Sequence, residues 1–191
     1  MLIMPSESSN IFTIIGLDPG TRMLGVAILN IDLDRLRIDS SNAFTLNADI
    51  LSKDDYWTKE VHGDRFSRIA SLRIKLVKIF NYYKPEYIFS ESPFINTHYP
   101  AAGIALTEVL SDINRAVYEY SVWHKLHLIP PSTVKQAINA PGNANKIVMK
   151  QKILELQDLN YNDDIHLINL DEHSIDALAV GYYGYSKLMK G

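Results

Sequence analysis

The chain has 191 residues, 47% of them hydrophobic, which is enough apolar material for one sizeable core and too little length for two. A formal net charge of -3 gives no global sign of a polyanionic partner, and the absence of cysteine excludes a disulfide framework, a thiolate zinc site and a cysteine nucleophile. No segment approaches the roughly 20 apolar residues of a membrane span, so a soluble, cytoplasmic protein is expected.

Residues 1–10 lack the basic start and apolar stretch of a secretory signal and read as a flexible tail, leaving 11–191 as a single domain. Residues 11–17 form an apolar, β-branched run ending in Asp18-Pro19-Gly20, and residues 23–31 form a second, which predicts a hairpin. A third strand is expected over 35–46. From 59 to 83 the apolar residues Phe66, Ile69, Leu72, Leu76, Ile79 and Phe80 recur at helical spacing, predicting one long amphipathic helix that Pro85 stops. Residues 87–91 read as a short buried strand ending in a carboxylate. A helix follows over 101–123, where Ala101, Ala102, Gly103 and Ala105 would admit another helix closely, and then a fifth strand over 126–129. Ser132 is the expected N-cap of a short helix to 139, and another helix is expected over 145–157. Residues 158–170 read as irregular, with 166–168 briefly extended. A final helix spans 173–188, its apolar side supplied by Ile175, Leu178, Ala179, Tyr182 and Tyr183. The order β-β-β-α-β-α-β-α predicts an α/β fold, a mixed five-stranded sheet with helices on both faces.

Charge is segregated along the chain. Residues 120–154 hold no Asp or Glu but contain Lys125, Lys135, Lys146, Lys150 and Lys152; residues 155–176 hold no Lys or Arg but contain Asp158, Asp163, Asp164, Asp171 and Asp176 among other acids. A second basic segment carries Arg65, Arg68, Arg73, Lys75, Lys78 and Lys84. This pattern permits a basic face beside an acidic centre; ordinary solvated helix faces are the alternative.

Three carboxylates stand out. Asp18 ends the first strand, Glu91 ends the fourth, and Asp176 lies on the last helix with His173 three residues before it on the same face. If the first and fourth strands are neighbours, Asp18 and Glu91 emerge at one sheet edge, and a helix across that edge brings Asp176 to them. Like charges gathered in one site raise one another's pKa, so a cation belongs there, and hard oxygen donors suit Mg²⁺ or Mn²⁺. A pair of such ions activates water and stabilises the leaving oxygen at a phosphodiester. Each residue also has an ordinary reading: Asp18 shaping the Pro-Gly turn, Glu91 capping a helix, Asp176 on the surface, His173 opening its helix with the ring in water.

The segment Ile14-Ile15-Gly16-Leu17-Asp18-Pro19-Gly20-Thr21-Arg22, followed by Gly25, resembles the opening signature of RuvC-type Holliday junction resolvases. Tyr87 to Phe94 is similar to that family's second acidic strand, Val134-Lys135-Gln136 and Ala144-Asn145-Lys146 to its basic stretch, and Ser174-Ile175-Asp176-Ala177-Leu178-Ala179 to its C-terminal helix. The resemblance implies a ribonuclease H-like fold, a homodimer, and paired nicking of a four-way DNA junction to leave 5′-phosphate and 3′-hydroxyl ends. It implies two metal ions held by Asp18, Glu91, His173 and Asp176, and Phe94 inserted beside bases at the junction centre. Lys135 and Lys146 are implied near the scissile phosphate, and Arg22 and Lys150 join them in the expected DNA-binding set. Many relatives have aspartate where this chain has His173, and residues 160–170 are longer and more acidic than in cellular members, which fits a bacteriophage source. Two rivals remain: an actin- or sugar-kinase-like ATPase, whose phosphate hairpin also begins with a strand and Asp-x-Gly-Thr, and a branched-DNA binder that does not cut.

Overall fold

The computed structural model describes residues 10–93 and 100–189. Strand β1 (Ile11–Asp18) turns through Pro19-Gly20 into β2 (Met23–Asp32), and β3 (Arg37–Asn47) continues the meander. After α1 (Ala48–Leu51), α2 (Tyr56–His62) and α3 (Asp64–Tyr83), β4 (Tyr87–Glu91) enters the sheet. It is followed by α4 (Pro100–Tyr120), β5 (Leu126–Ile129), α5 (Pro131–Ala137), α6 (Lys146–Leu154), a 3-10 turn (Leu167–Asn169) and α7 (Glu172–Met189). The sheet order is β3-β2-β1-β4-β5; β1 and β2 are antiparallel, as are β2 and β3, while β4 runs parallel to both β1 and β5.

The central strands are apolar runs because they are covered on two sides. Alternate residues feed two cores. Ile14, Leu29 and Phe89 pack with Ile175, Leu178 and Tyr182 of α7. Ile15, Leu17, Val26 and Ile88 pack with Leu72, Leu76, Ile113 and Val117 of α3 and α4. The five-stranded mixed sheet with helices on both faces is thus the architecture that the alternation and the βαβ crossovers require. Among the described residues, no helix is long and apolar enough to cross a membrane.

Several local expectations are corrected. The single helix over 59–83 is two helices, because Gly63 sits at φ 84°, in the left-handed region, and breaks the backbone between α2 and α3. The third strand starts later than expected, because Asp32 accepts from the backbone N–H groups of Asp34 and Arg35 and folds a turn there. Ser132 is not an N-cap. Pro131 starts α5, its fixed φ suiting a first-turn position, and no side chain caps that end. Asn145 does cap α6, its Oδ1 accepting from the Val148 N–H at 3.0 Å, but the helix ends at Leu154 rather than near 157. Residues 167–169 form a 3-10 turn, not an extended piece. α4 ends at Tyr120. The side chains of Ala101 and Ala102 lie outside the described residues.

Candidate active site

Parity places the first two carboxylates. Leu17 of β1 pairs with Ser90 of β4, so Asp18 and Glu91 stand one step beyond that rung at the same end of parallel neighbours. Within each strand they share parity with Gly16 and with Phe89, the residues facing α7. Asp18 and Glu91 therefore project toward the same helix.

α7 reaches them because glycines, Gly16 of β1 and Gly25 of β2, stand beneath its first turns. A methyl group on Gly16 would overlap the Ala177 carbonyl oxygen, and one on Gly25 would overlap the His173 carbonyl oxygen. The N-terminal turn of α7 is fixed from β3 as well. Asp171 Oδ1 accepts from Thr45 Oγ1 at 2.7 Å and from the Ser174 N–H at 2.9 Å, and the Thr45 and Ser174 hydroxyls lie 3.0 Å apart. Asp171 thus caps the helix and ties it to the sheet. Asp171-x-x-Ser174 ahead of an apolar run was a legible capping signal, but Thr45, 126 positions away, carried none.

The result is one electrostatic cluster. His173 Nδ1 lies 2.8 Å from Asp18 Oδ2; that hydrogen bond, against the opposing effect of burial, raises the imidazole pKa. Asp176 is 9% exposed and paired with Lys146 Nζ. Burial drives the Asp176 carboxyl upward despite that lysine. Lys146 is itself disfavoured by burial, yet Asp176 and Asp18 hold its ammonium more tightly than usual. Glu91 is pushed up to about 7, first by burial and then by the charges of Asp18 and Asp176, while Lys146 and Lys135 pull it back only in part. A cavity of about 330 Å³, lined by Glu91, Lys135, Asn145, Lys146 and Asp176, opens onto this group.

In the arrangement seen, Asp18 turns to His173 and Asp176 to Lys146, and among the described residues no three acidic or histidine side chains converge as a ready ligand cage. The chemistry of the set still suits a divalent cation. Three carboxylates from β1, β4 and α7 feel one another's charge, and burial first, then Asp18 and Asp176, raise the Glu91 carboxyl, a penalty that a bound cation would relieve.

The expected DNA-contact residues are placed less uniformly. Lys135 Nζ donates to the carbonyl oxygens of Gly142 and Ala144, each at 3.0 Å, and so holds the loop that leads to Lys146. Lys150 Nζ donates to the Leu170 carbonyl at 2.8 Å, binding α6 to the chain entering α7. Arg22 is exposed beside the hairpin turn, 3.8 Å from Asp49. Phe94 lies outside the described residues.

No family model matches the chain. It is 24% identical over 76% of its length to a protein of Alkaliphilus oremlandii named crossover junction endodeoxyribonuclease RuvC, covering 79% of that protein. It is 28% identical over 87% of its length to a protein of the same name from Heliobacterium modesticaldum, covering 90% of it. Among solved structures, Thermus thermophilus RuvC superposes with a TM-score of 0.64 at 18% identity, over 94% of this chain and 97% of that one. A yeast mitochondrial Holliday junction resolvase gives 0.62 at 14% identity, over 94% and 80%. Fowlpox virus resolvase, solved with a Holliday junction, gives 0.53 at 17%, over 93% and 99%. The similarity to RuvC-type resolvases read from the motifs is therefore borne out, and the fold is theirs.

Proposed function

We propose that this chain is a RuvC-type endonuclease that cuts four-way and other branched DNA by hydrolysing phosphodiester bonds, leaving 5′-phosphate and 3′-hydroxyl ends. The observation that carries the reading is the gathering of Asp18, Glu91 and Asp176, from distant parts of the sequence, around Lys146 at one end of the sheet. Relatives named crossover junction endodeoxyribonuclease RuvC match it over most of both chains.

In this reading Asp18, Glu91, Asp176 and His173 hold two Mg²⁺ or Mn²⁺ ions, which supply Lewis acidity to an attacking water and to the leaving oxygen. Asp18 would contribute its carboxylate to the same set. His173 completes or orients the set through the ring nitrogen it now turns to Asp18. Glu91 would hold a cation as the carboxylate. Lys146 leaves Asp176 and turns to the reacting phosphate, whose charge it offsets. Lys135 keeps the loop before Lys146 in place, and Arg22, Lys150 and Phe94 complete the expected contact set with DNA. A homodimer accounts for paired nicks, and a bacterial or phage-infected cytoplasm is the setting.

The test is cleavage of labelled four-way, three-way and linear DNA in Mg²⁺ or Mn²⁺ by the wild type and Asp18→Asn. The wild type should cut the branched substrates and the variant should bind the four-way junction without cutting. Cleavage at the wild-type rate by Asp18→Asn would overturn the assignment. ATP-dependent thermal stabilisation without junction binding would favour a phosphate-binding ATPase.

A further inference from the structure

The basic segment of α3 lies outside the candidate site, and the structure sorts it into paired and unpaired cations. Arg65 meets Glu108 at 2.8 Å, Arg68 meets Asp49 at 3.5 Å, and Arg73 meets Glu119 at 3.5 Å; these arginines stitch α3 to α4 and α1. Lys75 and Lys78 make no ion pair among the described residues. Spaced i, i+3 and i+7, Lys75, Lys78 and Tyr82 share one helix face. That face borders a groove of about 450 Å³ whose opposite wall is Phe44 and Leu46 of the edge strand β3. Tyr82 is 79% exposed, and its ring stands edge-on to Tyr83, with centroids 4.8 Å apart.

Two ammonium groups without ion partners and an open aromatic ring thus stand together along the α3 wall of an apolar trough. Duplex DNA hides its base faces and leaves an apolar trough unused. An unpaired strand offers both halves of the match, phosphates for the lysines and base faces for the ring. The trough lies on the α3 face of the sheet, away from α7, so its occupant and the acidic cluster do not compete.

We propose that this groove binds single-stranded nucleic acid, with phosphates against Lys75 and Lys78 and a base stacked on Tyr82. The site is separate from the cleavage centre and does not rest on the chain being a nuclease.

The test is fluorescence anisotropy with a short fluorescein-labelled oligo(dT), in chelator so that no strand is cut. Lys75→Glu/Lys78→Glu should weaken binding at least about tenfold and make the plot of log affinity against log salt shallower by about 1.4, that is 0.7 per phosphate contact. Tyr82→Ala should weaken it about tenfold through lost stacking, and Tyr82→Phe, which keeps the ring, should not. Thermal melts of all three exposed-residue variants should match the wild type. Equal affinity of the wild type and the double lysine variant would overturn the proposal, as would loss of binding in Lys146→Met instead. Displacement of oligo(dT) by oligoglutamate at equal charge, with no effect of Tyr82→Ala, would mark the groove as a surface for acidic peptides and also overturn it. Because no metal is present, failure of the cleavage reading leaves these measurements untouched.

Discussion

Glu91 is where the site's electrostatic strain is concentrated. Its carboxyl is raised from 4.5 to about 7 by burial first and by Asp18 and Asp176 next. The folded protein therefore binds that proton more tightly than the unfolded chain. The stability involved is fully present below 4.5 and is lost as pH rises through about 7. The whole effect is on the order of 3 kcal/mol. In chelator, Glu91→Gln should thus be the more stable protein near neutral pH and above, and the gap should close toward pH 4.5, as followed by thermal melts across pH. Melting curves that stay parallel at every pH would show that the three carboxylates do not share a field. Lys135 makes the opposite case, a charge already engaged. Its ammonium is held by the Gly142 and Ala144 carbonyls, so Lys135→Met should slow junction cleavage by loosening the loop before Lys146. The salt dependence of junction binding, which counts phosphate contacts, should barely change. A slope shallower by about one contact would make Lys135 a phosphate ligand instead.

At the scale of elements, the site depends on how closely α7 lies on the β1–β2 hairpin. Gly25→Ala sets a methyl group against the His173 carbonyl oxygen. It should cost about 2–3 kcal/mol in denaturant unfolding, as overpacking does, and should abolish cleavage by lifting His173 from Asp18. Asp171→Ala removes the cap and the Thr45 tie together. It should cost about 1 kcal/mol, and retention of full cleavage activity would show that the tie is structural only. The strands and the site helix were legible because each is an apolar run with its own period, and Asp18 and Glu91 were legible because each ends such a run. The closeness of α7 was not. Gly16 and Gly25 read as motif letters, and only the packed helix shows that they are small because backbone atoms lie against them. The break at Gly63 was missed for a related reason: apolar spacing continues across it, and only its positive φ separates α2 from α3.

At the scale of the molecule, the pairing of β1 with β4 stood in the sequence only as the condition for Asp18 and Glu91 to meet, and the treatment of the sheet's edges was not legible at all. Sequence periodicity describes faces, and an edge is covered by whatever chain happens to pass it. The acidic stretch after α6 reads as a long irregular insertion, yet it begins by lying along β3. The Ser41 N–H donates to the Asn160 carbonyl at 2.7 Å, and the Asn162 N–H donates back to the Ser41 carbonyl at 2.8 Å. β3 is the outermost strand on that side, and an uncovered edge strand offers its free N–H and C=O groups to other chains. The crossing segment therefore occupies part of that edge, at Ser41. Asn162→Pro removes one of the two backbone hydrogen bonds and stiffens the chain beside Tyr161. It should lower stability by only about 1 kcal/mol while raising concentration-dependent light scattering on mild heating well out of proportion to that loss. Equal scattering from variant and wild type at matched stability would mean that the edge is blunted by its own side chains and that the crossing segment serves another end.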